Sequence, residues 1–101
     1  MYRECPADLS MVRVILGDGY YDEHIHSCQV IRYIPDNECI YLLSETAELS
    51  VFTLDALYEC EIRVGDEMLK CQGFITERYN SKQGKVLVFR IQNGFYKNPV
   101  N

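Results

Sequence analysis

The run Asp55-Ala-Leu-Tyr-Glu-Cys-Glu-Ile-Arg-Val-Gly-Asp-Glu-Met-Leu-Lys-Cys-Gln-Gly-Phe-Ile75 carries the strongest pattern in the chain. Ala56, Tyr58, Cys60, Ile62 and Val64 share one face of an extended chain, because side chains alternate at period two. Asp55, Glu59, Glu61 and Arg63 share the other, with Leu57 the one apolar exception. That is a strand with one wet face. Gly65-Asp66 comes next, and a glycine opening a two-residue loop suits a primed hairpin turn. The turn fixes the pairing: Val64 opposes Glu67, Ile62 opposes Leu69, Cys60 opposes Cys71 and Ala56 opposes Ile75. The two apolar faces then coincide, whereas a slip of one residue turns the second set outward.

Outward from this hairpin the same period continues. Met68 to Tyr79 reads as the next strand, with Leu69, Cys71, Gly73 and Ile75 inward. Asn80 to Gly84 is a polar loop, and Lys85 to Asn93 a further strand. Setting Tyr79 opposite Lys85 places Ile75 opposite Phe89 and Gly73 opposite Ile91. Gly73, without a side chain, suits a bend or bulge in a strongly coiled sheet. Phe74, Val86 and Val88 point outward and are too apolar for a wet face. Either other parts of the chain close over them or they form a partner surface.

The first half is less regular. Met11 to Leu16, Glu23 to Tyr33 and Cys39 to Leu43 are three shorter strands, with turns at Gly17-Asp18-Gly19 and Pro35-Asp36-Asn37. Glu45 to Leu54 connects the halves, and Val51, Phe52 and Thr53 favour a short strand near its end. No segment keeps a helical period over three turns. Six strands with tight turns predict an all-β fold, an antiparallel barrel or sandwich, of which a small six-stranded antiparallel barrel is the expected form. It forms a single domain over residues 1–101, with 1–9 a leader and 95–101 a tail whose Phe95 and Tyr96 close one end or dock on another subunit.

The chain has 101 residues, 10 Lys plus Arg and 15 Asp plus Glu, for a net charge of −5. That balance argues against a nucleic-acid arm or a binder of anionic membranes. No apolar run approaches the roughly 18 to 20 residues of a membrane span, and the first ten residues hold no apolar signal core. A cytoplasmic location is expected. The cysteines number five, with no Cys-x-x-Cys, which suggests buried free thiols rather than a disulfide framework. Cys60 and Cys71 are then packed, reduced neighbours.

Asp22, His24, His26 and Cys28 alternate along one predicted strand and project from one face. Two imidazoles at this spacing lie within about 7 Å of each other, so His24 and His26 with Cys28 are candidate metal ligands. The competing reading leaves both histidines on an outer face and packs Cys28. As a nucleophile Cys28 has His26 nearby but no oxyanion-hole glycine turn. No phosphate-binding or nucleophile-elbow motif occurs. The eight tyrosines suit the rims of a barrel. Arg78, Lys82, Lys85 and Arg90 gather around the last hairpin as a candidate anion patch or a solvated face.

The runs Asp55 to Ile62, Leu69 to Arg78 and Gly84 to Ile91 together resemble the PilZ domain, a six-stranded barrel of bacterial signalling proteins. They are also similar to the barrel that precedes PilZ in flagellar brake proteins. The resemblance covers roughly Leu42 to Phe95 and implies a bacterial regulatory barrel. Cyclic di-GMP-binding members carry Arg-x-x-x-Arg before the barrel, but here the leader offers only Arg3 and Arg13. Their second motif, Asp/Asn-x-Ser-x-x-Gly, has its nearest counterpart in Glu48 to Thr53, which keeps only Ser50. The resemblance thus implies a barrel without the nucleotide site. The expected function is a non-catalytic cytoplasmic interaction or regulatory domain with no cofactor, meeting a protein partner or a second copy. One alternative is a sensor of a cyclic dinucleotide or another anion through Arg78, Lys85 and Arg90. The other is a metal-binding protein using His24, His26 and Cys28.

Overall fold

The positions predicted inward between residues 56 and 75 are buried, except Val64, which is half-buried beside the turn. In the computed structural model, which describes residues 2–15, 21–45 and 47–97 (side chains at 93 and 95–97 excepted), they line the inside of a barrel. Its strands are β1 (Pro6–Val14), β2 (Ile25–Ile34), β3 (Cys39–Ser44), β4 (Ala56–Val64), β5 (Glu67–Ser81) and β6 (Gly84–Lys97). They close in the order β1-β2-β3-β6-β5-β4, every pairing antiparallel. The only helical elements among the described residues are 3-10 turns at Pro35–Asn37 and Leu49–Val51.

The β4–β5 register is the one read from the sequence, from Val64 with Glu67 through Cys60 with Cys71 to Leu57 with Phe74. Gly65 takes φ +61 and Asp66 stays at negative φ, as a Gly-first hairpin turn requires. Leu9, Ile40, Leu42, Tyr58, Ile62, Ile75, Leu87 and Phe89 fill the interior and are at most 1% exposed. Burying one such side chain contributes about 1.5 to 3 kcal/mol. Gly73 is obligatory, because a Cβ there would lie 2.0 Å from the Arg90 carbonyl oxygen.

Four local expectations are corrected. The strand expected to start at Met11 starts at Pro6, inside the expected leader, and ends at Val14. Proline costs nothing at a first strand position, and Ala7, Leu9 and Met11 alternate inward. At the other end β6 runs to Lys97, into the expected tail. Residues 47–55 contain no strand: Phe52 is extended, but its side chain plugs the barrel and is fully buried. In the last hairpin Tyr79 faces Val86, not Lys85, because the turn is only Lys82-Gln83. An irregularity between Ile75 and Glu77 absorbs the extra residue, so Ile75 still faces Phe89 and Gly73 faces Ile91.

Val86 and Val88 are buried although they stand on the outer face. Their cover is lateral: Val86 lies between Leu43 and Tyr79, and Val88 between Tyr41 and Glu77. The predicted turn at 17–19, Leu16, Tyr20, residues 98–101 and the side chains of Phe95 and Tyr96 lie outside the described residues.

Candidate functional site

β2 begins only at Ile25, so the alternation expected from Asp22 to Cys28 holds for His26 and Cys28 alone. The chain ahead of it doubles back over β1: the Tyr21 hydroxyl donates to the Met11 carbonyl at 3.1 Å. This brings the Asp22 carboxylate, 6% exposed, between the two histidines. Oδ1 lies 3.0 Å from His24 Nδ1 and accepts the His24 backbone N–H at 2.9 Å. Oδ2 lies 2.6 Å from His26 Nε2. The His26 ring packs edge-on against Phe52, their centroids 5.0 Å apart. A carboxylate thus occupies the centre that the metal reading reserved for an ion. Cys28 points into the barrel, and burial, with Glu45 and Asp8 nearby, pushes its thiol up to about 12. At neutral pH that thiol is protonated and is no nucleophile. Among the described residues no three His, Cys, Asp or Glu side chains are grouped to hold a metal ion.

The expected anion patch is divided between two faces. Arg78 pairs with the inward Leu87, on the side of the hairpin that overhangs the barrel end. There its Nη1 donates to the carbonyls of Leu49 and Phe52 and clamps the plug. Lys85, two residues from Leu87, reaches the Glu48 carboxylate at 3.0 Å on the same side. Arg90, three residues from Leu87, is exposed on the outer face. The three cations therefore do not converge.

The surface the sequence did not reveal lies outside β2, β3 and the tip of the last hairpin. Between Val30 and Arg32 the β2–β3 register shifts by one residue, so Ile31 and Arg32 both turn outward. Ile31 and Gln83 line three adjoining grooves. The largest, about 440 Å³, is completed by Arg3, Arg32 and Tyr33. The second, about 200 Å³, is more apolar and adds Tyr41, Tyr79, Ser81 and Val86. The third, about 120 Å³, holds Arg3, Glu4, Gln29, Val30 and Leu43. Arg3 reaches this place through an irregular entry: its neighbours Tyr2 and Glu4 take left-handed φ of 62° and 68°. The entry is tied to β2 by Glu4 N–H to the Val30 carbonyl at 2.7 Å and Val30 N–H to the Cys5 carbonyl at 2.9 Å.

No family model, curated protein or solved structure matches the chain.

Proposed function

We propose that the chain is a non-catalytic interaction or regulatory domain of PilZ-like kind, which meets a protein partner through the outer face of β3, β6 and the end of β5. One observation carries this reading: the first half of β6 is apolar on both faces, with Val86 and Val88 outward, and Val86 lines a groove walled by Tyr41 and Tyr79. A barrel whose interior is filled by its own side chains has its outside left for recognition. The reading includes a bacterial cytoplasm, where facing thiols such as Cys60 and Cys71 persist unoxidised. It disfavours cyclic di-GMP as a ligand.

The test is site-specific photo-cross-linking in cells, with the reactive side chain at position 79 and, as a control, at the outward position 59 on β4. Discrete adducts from 79 and none from 59 support the reading. Equal adducts, or none from 79, overturn it. Calorimetric titration with cyclic di-GMP is expected to be flat, and saturable binding at micromolar concentration would make the domain a receptor instead.

A further inference from the structure

The groove at Arg3 and Arg32 joins the apolar groove at Tyr41, Tyr79 and Val86 through shared walls, Ile31, Arg32 and Gln83. Their chemistries differ. One end presents two exposed guanidiniums that form no ion pair or hydrogen bond among the described residues. The other presents aromatic and aliphatic surface. We infer that this trough is a two-part site for an extended acidic segment of the partner, with carboxylates on Arg3 and Arg32 and an apolar side chain in the groove of Tyr41, Tyr79 and Val86.

Three observations point to that occupant. Every salt bridge formed by Arg63, Lys70 and Lys85 spends the cation on a carboxylate of the chain itself, whereas Arg3 and Arg32 keep theirs. On a chain of net charge −5 this makes a local positive end that selects against the acidic remainder and for an acidic partner. Guanidinium forks match carboxylates bidentately. The backbone is also irregular where the arginines stand: two non-glycine residues in left-handed conformation flank Arg3, and the register shift in β2 turns Arg32 outward beside Ile31. Such departures persist where the surroundings enforce them, and they cluster at recognition sites. Finally the two grooves are open to solvent rather than enclosed and run into one another along three shared walls, which suits an extended chain more than a small molecule.

The inference rests on the interaction reading above and is tested separately from it. The probe is a random dodecapeptide library displayed on phage, selected against the whole purified protein. Enriched peptides are expected to carry Asp or Glu a few residues from an aromatic or large aliphatic side chain. Their synthetic forms should bind about tenfold more weakly to Arg3→Ala and to Arg32→Ala, and unchanged to Arg13→Ala on β1. Binding should also weaken as salt rises. Peptides that lack acidic residues and ignore both arginine variants, yet are lost on Tyr41→Asp, would overturn the two-part site and leave the interaction reading standing. No enriched peptide sensitive to position 3, 32 or 41 would overturn both.

Discussion

Asp22 and His26, four residues apart, meet at one end of the barrel through a 2.6 Å contact between Oδ2 and Nε2. Burial raises the Asp22 carboxyl, but hydrogen bonds from His26 and His24 outweigh it and hold the group below its ordinary 3.8. A carboxylate lowered in the folded state stabilises the fold above its unfolded value. That contribution is lost as pH falls through the lowered folded value. Asp22→Asn is therefore expected to cost about 1 to 3 kcal/mol at pH 7. Its urea midpoint should also fall less steeply than the wild type's on acidification below roughly pH 4. Parallel acid limbs for the two proteins would show that the pair contributes nothing.

Ile62 and Phe89 are both fully buried inside the barrel. Ile62→Asp or Phe89→Asp places an unpaired charge there, at a cost of several kcal/mol against a total stability of about 5 to 15. Either variant should lose its cooperative thermal transition by circular dichroism. Wild-type melting of either one would refute the register.

A methyl group at Gly73 meets the Arg90 carbonyl carbon at 2.9 Å as well as its oxygen, whereas one at Gly94 meets nothing within 4 Å. Gly73→Ala should part β5 from β6 and reduce soluble yield or melting temperature sharply, while Gly94→Ala should behave as wild type. Similar melting temperatures for the two variants would mean that the backbones do not approach so closely.

Arg78 holds the Leu49 and Phe52 carbonyls, the Phe52 N–H donates to Leu49 at 3.1 Å, and the Thr53 N–H donates to the Tyr58 hydroxyl at 3.1 Å. Arg78→Ala is expected to cost about 1 kcal/mol. It should speed amide exchange at Phe52 and Thr53 while β4 stays protected. Uniformly faster exchange would assign Arg78 to global stability rather than to the plug.

Cys28, Cys60 and Cys71 are buried, while Cys5 and Cys39 are partly open. Under native conditions a thiol reagent should modify Cys5 and Cys39 first, and the other three only on unfolding. Prompt labelling of Cys60 would contradict the closed barrel.

The second half of the fold was legible because Ala56 to Val64 alternates strictly and one turn glycine, Gly65, fixes how β5 pairs with β4. The start of β1 was not, because Cys5-Pro6-Ala7-Asp8 reads as part of a leader until β2 and β4 are there to pair with it on both sides. Phe52 looked like a strand residue for its propensity, but tertiary burial gave it the role of a plug. In the candidate sites, His24 and His26 lie near each other, their ring centroids 6.3 Å apart, but His24 precedes the strand that spacing assigned it to, and spacing could not show that Asp22 would stand between them. It grouped Arg78, Lys85 and Arg90 by nearness in sequence, whereas strand parity sends Arg90 to the opposite face. Arg3 and Arg32 are 29 positions apart. Only the closure of the barrel and the irregularity in β2 make them neighbours.

Beyond Phe74, β5 has outrun β4 and keeps β6 as its only strand partner among the described residues. The stretch from Thr76 to Ser81 is therefore an open seam at the margin of the closed ring, whose free backbone groups are a template for strand addition and fibre growth. The seam is also where the strand is bent by its register shift and where Glu77 and Arg78 stand exposed. Charge and curvature at an open margin are how sheets resist joining one another. The arginine that clamps the plug thus also guards one of the margins at which this barrel is open to runaway self-assembly.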